Sequence, residues 1–367
     1  MYRRVIRKPP PPVFPTDLAG FGYTLNDKSR LVDAEGKEYT FNLKAKNRDY
    51  EEAHGRALCD VVVQIMVKRM EEEFGLVRKI VPLGFSPEDT TLPHAHILLT
   101  PDYNECKRLL VLSPGTMESL GSWSRRLVCN YSAEDGSMFA VVKMAIDQGF
   151  GVVILNSNAQ YWVNGQTTYM TPTNPRGIVL VPELESPEKH VSYVLKNIIQ
   201  PAASREIFFI GHKYGCHSLM QALNEQFNEL KDRVSAIAMI ESTASINKEF
   251  SKDFRKWWSS NAVDYTQSEA EEAADKGEVE YNTHRGCNCV RMGMGEFDQT
   301  ILVAMPFILR FFKSRLNRDN VFDHYKELVF PPVKDDPTTV LITFDADELE
   351  DDDSEPAFDE NLDPSWG

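Results

Sequence analysis

The sequence is poor in cysteine and lacks any long apolar run. Its six cysteines are spread over 367 residues, far below the density of small secreted domains that disulfides hold together. We therefore expect reduced thiols, as in a cytosolic or nuclear protein. No window of about 18 uninterrupted apolar residues is present, so no membrane-spanning helix is expected. The basic and proline-rich amino end lacks the apolar core of a secretory signal.

A basic excess is also missing. The net charge is −15, and of the 55 acidic residues 13 lie in residues 335–367, which contain no Lys or Arg. The rest of the chain has 42 acidic and 40 basic residues and is nearly neutral. This balance argues against a strong generic affinity for nucleic acid. Residues 331–367 have too little apolar content to fold alone, and we predict a disordered acidic tail there.

The amino end is predicted to be a leader to a single large domain. Residues 1–13 are basic and proline-rich, with four consecutive prolines that favour an extended polyproline conformation. This run is either a stiff lead into the domain or a docking segment for an SH3-like or WW-like partner. Residues 14–330 are predicted to form the domain, which begins with an extended segment at 14–46 and contains a polar insertion at 264–290.

Apolar runs that suit strands buried on both faces alternate with helical patterns through the chain. Such alternation is typical of an α/β layer architecture with a parallel sheet. The predicted strands are residues 108–112, 150–155, 207–210 and 234–240. The predicted helices are residues 48–74, 138–148, 190–200, 216–230 and 300–312.

A short glycine-flanked motif follows the third apolar run. It reads Gly211, His212, Lys213, Tyr214 and Gly215, and it precedes a predicted helix. In serine hydrolases a G-x-S-x-G sequence in this position forms the nucleophile elbow, a strained turn that presents the serine. Glycines are needed there because the backbone and neighbouring strands approach closely. The motif therefore predicts an elbow in which Lys213 stands at the nucleophile position.

Several stretches, in the same order along the chain, resemble the Arb-two (Arb2) family, named for Argonaute-binding protein two. The resemblance covers most of the chain and implies an α/β-hydrolase-like fold, with three layers and a mostly parallel central sheet. Animal members are described as cotranscriptional regulators, and family members are associated with Argonaute, small-RNA loading, heterochromatin and splicing. The stretches that carry the resemblance are residues 14–21, 121–127, 149–158, 211–215 and 234–242.

The resemblance implies that the catalytic positions of this sequence are degenerate. Lys213 falls on the family's serine, Glu241 falls near a family Asp, and Phe297 falls on the late His. Acyl transfer needs a nucleophile, a base that deprotonates it and donors for the oxyanion. Lys213 is either a desolvated nucleophilic amine or a cation that pairs with Glu241 in a vestigial pocket. We predict a pseudo-hydrolase without catalytic residues, because the hydroxyl and the base are both replaced.

The loop that would hold the oxyanion is altered as well. Relatives often carry His-Gly there, whereas this sequence has Ser113, Pro114 and Gly115. Pro114 cannot donate a backbone N–H, which weakens an oxyanion hole built at this point. The altered loop and the replaced nucleophile therefore both argue against hydrolysis.

Two groups of residues are candidate metal ligands. His94 and His96 lie on one side of a predicted strand, but two imidazoles do not make a metal site. His284 lies near Cys287 and Cys289, whose C-x-C spacing is atypical for structural zinc. We predict no metal and no cofactor.

The functional prediction is a nuclear, non-catalytic interaction protein, with the cytoplasm as a second location. The resemblance implies a role in small-RNA (siRNA), Argonaute-directed gene silencing, heterochromatin formation and cotranscriptional regulation. The expected partners are proteins, Argonaute or chromatin factors among them, with small RNA less well supported and no membrane. Two alternatives remain: a residual or divergent hydrolase, and a direct small-RNA-binding module.

Overall fold

A computed structural model describes residues 12–41, 47–85, 91–163, 165–169, 178–267, 279–292 and 298–316. The acidic tail and the first eleven residues lie outside this part of the chain, so the predictions for the tail and the proline run remain predictions. The strands of the described residues are β1 Thr24–Leu25, β2 Leu31–Val32, β3 Val77–Val81, β4 Ala95–Leu99, β5 Arg108–Ser113, β6 Phe150–Ile154, β7 Tyr161–Val163, β8 Gln166–Thr168, β9 Val179–Leu180, β10 Glu206–His212, β11 Val234–Ile240, β12 Ala262–Thr266, β13 Val279–Asn282 and β14 Cys287–Arg291.

A nine-stranded central sheet has the order β13-β14-β12-β11-β10-β5-β6-β4-β3. The strands from β14 to β6 are parallel to one another. Strand β13 pairs antiparallel with β14 at one edge, and β4 runs antiparallel to both β6 and β3 at the other. Strands β10 and β11 are neighbours in the middle, so the residues that follow them meet at the same edge of the sheet.

Helices cover both faces of this sheet. The helices are α1 Leu18–Phe21, α2 Arg48–Phe74, α3 Arg125–Asn130, α4 Ala133–Gly136, α5 Phe139–Asp147, α6 Pro187–Val194 with a π-helical continuation at Leu195–Ile199, α7 Tyr214–Glu225, α8 Phe227–Leu230, α9 Lys252–Asn261 and α10 Thr300–Arg315. Helices α2, α5 and α10 share one buried cluster with one face of the sheet, and α6, α7 and α9 share a second cluster with the other. No helix in these residues is long and apolar enough to cross a membrane.

The continuous apolar strands arise because both faces are covered. In β10, Phe208 and Ile210 belong to the cluster with α2, whereas Ile207 and Phe209 belong to the cluster with α7. Side chains alternate between the two faces of a strand, so every position of such a strand must be apolar. The four predicted strands are confirmed as β5, β6, β10 and β11, with ends shifted by at most two residues.

Helix α2 confirms the helix predicted at 48–74. The Asn47 side chain accepts a hydrogen bond from the Tyr50 backbone N–H at 3.3 Å and so caps the amino end. Gly75 has a left-handed backbone with φ 70°, which ends the helix where the sequence predicted a stop. Helix α10 begins at Thr300 and continues through Pro306, so Pro306 does not mark its start.

Residues 268–278 of the polar insertion predicted at 264–290 lie outside the described residues, so the insertion remains a prediction there, whereas the described residues on either side form strands. Strand β12 pairs parallel with β11, and β14 pairs parallel with β12, so this region extends the central sheet. Asp264 is a fully buried carboxylate inside β12, so a polar residue here does not mark an exposed loop. Its Oδ1 accepts from the Ser242 N–H at 3.2 Å, and Arg285 lies 3.3 Å from Oδ2. These partners let the charge be buried.

The extended segment predicted at 14–46 is described as far as residue 41 and is only partly extended. It begins with the short helix α1, which Asp17 caps by accepting from the Gly20 N–H at 2.7 Å. The hairpin of β1 and β2 follows. An Asp at the N-cap position commonly begins a helix, because its side chain accepts a hydrogen bond from a backbone N–H three residues later. The apolar pattern alone does not reveal such a start.

The expectation of reduced thiols is wrong for one pair of cysteines. Cys59 of α2 and Cys129 of α3 are joined by a disulfide bond, although 70 residues separate them in sequence. Packing of α2 on α3 brings the two together, which their spacing along the chain could not show. The cysteines at positions 106, 216, 287 and 289 are free.

Candidate functional site

The glycine-flanked motif forms a sharp turn between β10 and α7. Lys213 is the single residue between the end of the strand and the start of the helix. It has φ 48° and ψ −118°, a conformation that residues with side chains rarely adopt. Its backbone N–H donates to the carbonyl of Ile240 at 2.9 Å, which ties the turn to the end of β11. This is the strand-turn-helix arrangement of a nucleophile elbow.

Close packing excludes a side chain at Gly215 and leaves little room for one at Gly211. A Cβ at Gly215 would lie 2.4 Å from the carbonyl oxygen of Pro114 and 2.8 Å from that of Ser113. A Cβ at Gly211 would lie 3.0 Å from Leu219 and 3.1 Å from the sulfur of Cys216. The first pair of contacts involves backbone atoms, which cannot move aside as a flexible side chain can. The elbow therefore packs directly on the end of β5.

The Lys213 ammonium forms an ion pair with Oδ1 of Asp298. The other carboxylate oxygen, Oδ2, accepts a hydrogen bond from Ser124 Oγ at 3.0 Å. The Asp298 side chain is 8% exposed and that of Lys213 is 31% exposed, so the carboxylate depends on this cation. Of the two roles expected for Lys213, a nucleophilic amine or a cation paired with Glu241, the structure supports a cation, and its carboxylate partner is Asp298. No local pattern marks Asp298, because its partner lies 85 residues away.

Glu241 follows β11 and lies on the same edge of the sheet as the elbow. It has φ 50°, and its backbone N–H donates to the carbonyl of Tyr265 at 3.0 Å. Its Oε1 accepts from the Gln267 N–H at 2.8 Å and from Thr300 Oγ1 at 2.7 Å. Glu241 therefore contacts the amino end of α10. Phe297, the other predicted triad position, lies outside the described residues.

The segment that would hold an oxyanion packs against the elbow. Ser113 Oγ donates to the Gly215 carbonyl at 3.3 Å, and Gly115 lies against His212 and Lys213. Asn158 Nδ2 donates to the carbonyl of Gly115 at 2.8 Å, which fixes this part of the loop. Pro114 has no backbone N–H, and the weakened oxyanion hole expected at this point remains a prediction.

A buried glutamate continues this segment. Glu118 Oε2 accepts from Ser122 Oγ and from the Arg125 N–H, both at 3.0 Å, and the Arg125 guanidinium lies 4.0 Å away. Burial raises the pKa of Glu118 to about 7, although Arg125 and the two hydrogen bonds act in the opposite direction. The Leu120 N–H donates to the Tyr169 hydroxyl at 3.0 Å and fixes the next turn.

His212, the residue before Lys213, is a core histidine. Burial lowers its pKa to about 3, and the neighbouring Lys213 charge acts in the same direction. The ring is 1% exposed and lies edge-on to Trp123, with 6.3 Å between ring centres. Its Nδ1 has no hydrogen-bond partner among the described residues. The imidazole is therefore neutral at physiological pH and enclosed in the core.

The retained elbow holds chemistry different from that of a serine hydrolase. An ammonium paired with a carboxylate has no lone pair with which to attack an acyl group. The arrangement can, however, hold chain segments together, since Lys213 binds Asp298 and Glu241 binds Thr300. The neutral elbow residues Gly211, His212, Tyr214 and Gly215 shape the turn around this ion pair.

The candidate metal ligands differ in burial: His94, Cys287 and Cys289 are buried, His96 is half-buried and His284 is exposed. His94 Nδ1 lies 2.9 Å from the Leu92 carbonyl, and its ring packs on Trp162 with 4.7 Å between centres. Burial and the His94 charge lower the pKa of His96 to about 4. Cys287 and Cys289 are buried in β14. Over the described ranges, no three His, Cys, Asp or Glu side chains are grouped so that they could hold a metal ion.

Comparison with known proteins agrees with the fold and the resemblance. The Arb2 domain matches residues 14–272, more than half of the chain. The "cotranscriptional regulator ARB2A homolog" of Gallus gallus is 24% identical over 359 residues, covering 86% of this chain and 85% of the relative. The "cotranscriptional regulator ARB2A" of Homo sapiens is 24% identical over 351 residues, covering 84% and 83%.

Among solved structures, a histone deacetylase from Saccharomyces cerevisiae aligns with a TM-score of 0.45 and 14% identity, over 71% of this chain and 98% of that chain. The predicted family and the predicted fold class are confirmed, the latter by the mostly parallel central sheet covered by helices on both faces. This chain belongs to the Arb2 family and has an α/β-hydrolase-like fold.

Proposed function

We propose that this protein is a non-catalytic interaction protein with a regulatory role in the nucleus. The names of its relatives support the regulatory part, because the chicken and human proteins are called cotranscriptional regulators. A role in cotranscriptional control requires presence in the nucleus, which is the location that we propose. Fold alone would not support this role, because hydrolase-like folds serve many functions.

The observation that carries the non-catalytic part is Lys213 at the nucleophile position of an intact elbow. Lys213 forms an ion pair with a carboxylate that is 8% exposed, so its charge has a structural partner. Removing the nucleophile of a hydrolase typically costs about six orders of magnitude in rate. His212 is neutral and buried, and Pro114 lacks an N–H, so neither supplies the missing base or donor.

The finer proposal is that the partners belong to Argonaute-directed silencing, heterochromatin formation or RNA processing. Family resemblance supports this choice of pathway. We propose proteins rather than RNA as the direct partners, because the chain outside the acidic tail is nearly neutral. The hydrolase-like body would then be a scaffold that presents a binding surface.

Tagged full-length protein, purified from native cells, tests the proposal. Co-purifying proteins are identified by mass spectrometry and co-purifying RNA by sequencing, with and without nuclease treatment. We expect Argonaute, chromatin or RNA-processing proteins to be recovered, and to remain bound after nuclease treatment. Loss of every partner upon nuclease treatment would instead favour the direct small-RNA-binding module.

A matched variant separates scaffolding from chemistry. Lys213→Arg keeps the cation that Asp298 requires but changes the group at the nucleophile position. A scaffold should recover the same partners with this variant as with the unchanged chain. Recovery of no transcription, silencing or RNA-processing protein above an untagged control would contradict the proposed function.

A further inference from the structure

Three strained residues meet at the carboxyl edge of the central sheet. Six non-glycine residues in the described part of the chain have positive φ, and three of them are Lys213, Glu241 and Asp298, with φ of 48°, 50° and 75°. Such a backbone conformation is unfavourable for a residue with a side chain and persists only where the surrounding structure fixes it. Strain concentrated in this way indicates that the contacts at this edge have a specific purpose.

Two of these residues are strand-end positions, and the third precedes α10. Lys213 follows β10 and holds Asp298, which is two residues before Thr300, the first residue of α10. Glu241 follows β11 and accepts a hydrogen bond from Thr300 Oγ1 at 2.7 Å. Both strand ends that would carry a nucleophile and an acid in a hydrolase therefore contact the same short segment, residues 298–300.

Helix α10 needs this support at its amino end. Its N-cap residue, Gln299, makes no capping hydrogen bond with its side chain, so the helix lacks the usual local cap. Apolar packing secures the rest of the helix, because Ile301, Ala304 and Ile308 are buried in the core cluster that it shares with β11. The polar contacts of Asp298 and Thr300 therefore act at the amino end of the helix, where the local sequence supplies no side-chain cap.

We propose that the former catalytic edge is a latch for the amino end of α10. Lys213 and Glu241 are positioning residues in this latch: one holds the carboxylate of Asp298 and the other holds the hydroxyl of Thr300. The latch joins the elbow to the helix from which the acidic carboxyl-terminal sequence continues. A ligand that competed for Lys213 would therefore loosen the start of that helix. This inference does not depend on which partners the protein binds.

Amide hydrogen exchange on the full chain tests the latch. Asp298→Asn is the decisive variant, because asparagine tolerates positive φ and can still accept from Ser124 while losing the charge. Removing one member of a buried pair costs more than the roughly 1.4 kcal/mol that corresponds to a tenfold change. We therefore expect the amides of residues 302–305, at the amino end of α10, to exchange at least about tenfold faster than in the unchanged chain.

Two further variants control the experiment. Thr300→Val removes only the hydroxyl contact and should give a smaller acceleration in the same amides; it also replaces Asp298→Asn if that variant does not fold. Glu185→Gln removes an exposed ion pair with Lys189, whose side chain is 62% exposed, and should change nothing in α10.

The sheet amides distinguish a latch from general stability. The latch predicts that exchange in β10 and β11 stays unchanged while α10 opens more often. Unchanged exchange at residues 302–305 in Asp298→Asn would overturn the inference. An equal acceleration in β10 would overturn it as well, since the pair would then stabilise the whole fold rather than this helix.

Discussion

Glu118 offers a direct test of how firmly the segment beside the elbow is packed. The side chain is 18% exposed, and burial raises its pKa to about 7, from an ordinary value of 4.5. Replacing it by glutamine keeps an oxygen that can accept from Ser122 and Arg125 but removes the ionisable group. The variant Glu118→Gln therefore changes the pH dependence of stability more than the contacts.

The sign and size of this effect follow from the two pKa values. Between pH 4.5 and 7 the folded chain keeps a proton on Glu118 that the unfolded chain releases. The free energy of unfolding therefore falls as pH rises through this window and stays lower above it. The gap between the two values corresponds to about 3 kcal/mol. Between pH 5 and 8, which covers most of this window, the unchanged chain should lose about 2.5 kcal/mol more stability than Glu118→Gln.

Urea unfolding followed by tryptophan fluorescence at several pH values measures the effect. The matched control is Glu72→Gln, which removes a carboxylate that is 63% exposed and paired with Lys68 on the surface of α2. This control should keep the pH dependence of the unchanged chain. If Glu118→Gln follows the same curve as the control, Glu118 is not held in a buried protonated state and the packing described for this segment is incorrect.

Two further predictions concern the elbow and the core next to it. Gly215→Ala places a methyl group 2.4 Å from the Pro114 carbonyl oxygen. We therefore expect the free energy of unfolding to fall by about 3 kcal/mol, or the chain to fail to fold. A thermal midpoint equal to that of the unchanged chain would refute the close approach. His190 accepts from the Asn156 N–H at 3.2 Å, and burial lowers its pKa to about 3. This value lies below the unfolded value of 6.5, so the free energy of unfolding should fall as the pH decreases below 6.5. In urea unfolding between pH 4 and 6.5, His190→Gln should make that fall shallower.

The layer structure was predictable because it rests on periodic apolar patterns. Helix α2 could be placed to the residue from its apolar spacing and from Gly75, and the strands β5, β6, β10 and β11 from their continuous apolar runs. The elbow was predictable because two glycines in a strand-to-helix turn have a steric cause. These patterns involve residues that are close in sequence, so they can be interpreted without knowing which distant segments pack together.

The features that could not be predicted depend on contacts between distant parts of the chain. Strand β12 contains Asp264, a buried carboxylate whose partners, Arg285 and the Ser242 N–H, come from other segments of the chain. The ion pair of Lys213 with Asp298 spans 85 residues and was assigned to Glu241 instead. A sequence shows which charges exist, but the partner of a buried charge is decided by topology. Polar residues in buried positions were therefore the main source of error.

Ester hydrolysis is the measurement that tests the central claim most directly. Purified full-length chain is incubated with a panel of short-chain p-nitrophenyl esters, beside the variants Lys213→Met and Glu241→Gln and a buffer blank. If the chain is a pseudo-hydrolase, all three proteins should release nitrophenol no faster than the buffer blank. The rate of release should then show no saturation as the ester concentration rises. Saturable turnover by the unchanged chain that Lys213→Met or Glu241→Gln abolishes would contradict the account and establish a divergent hydrolase.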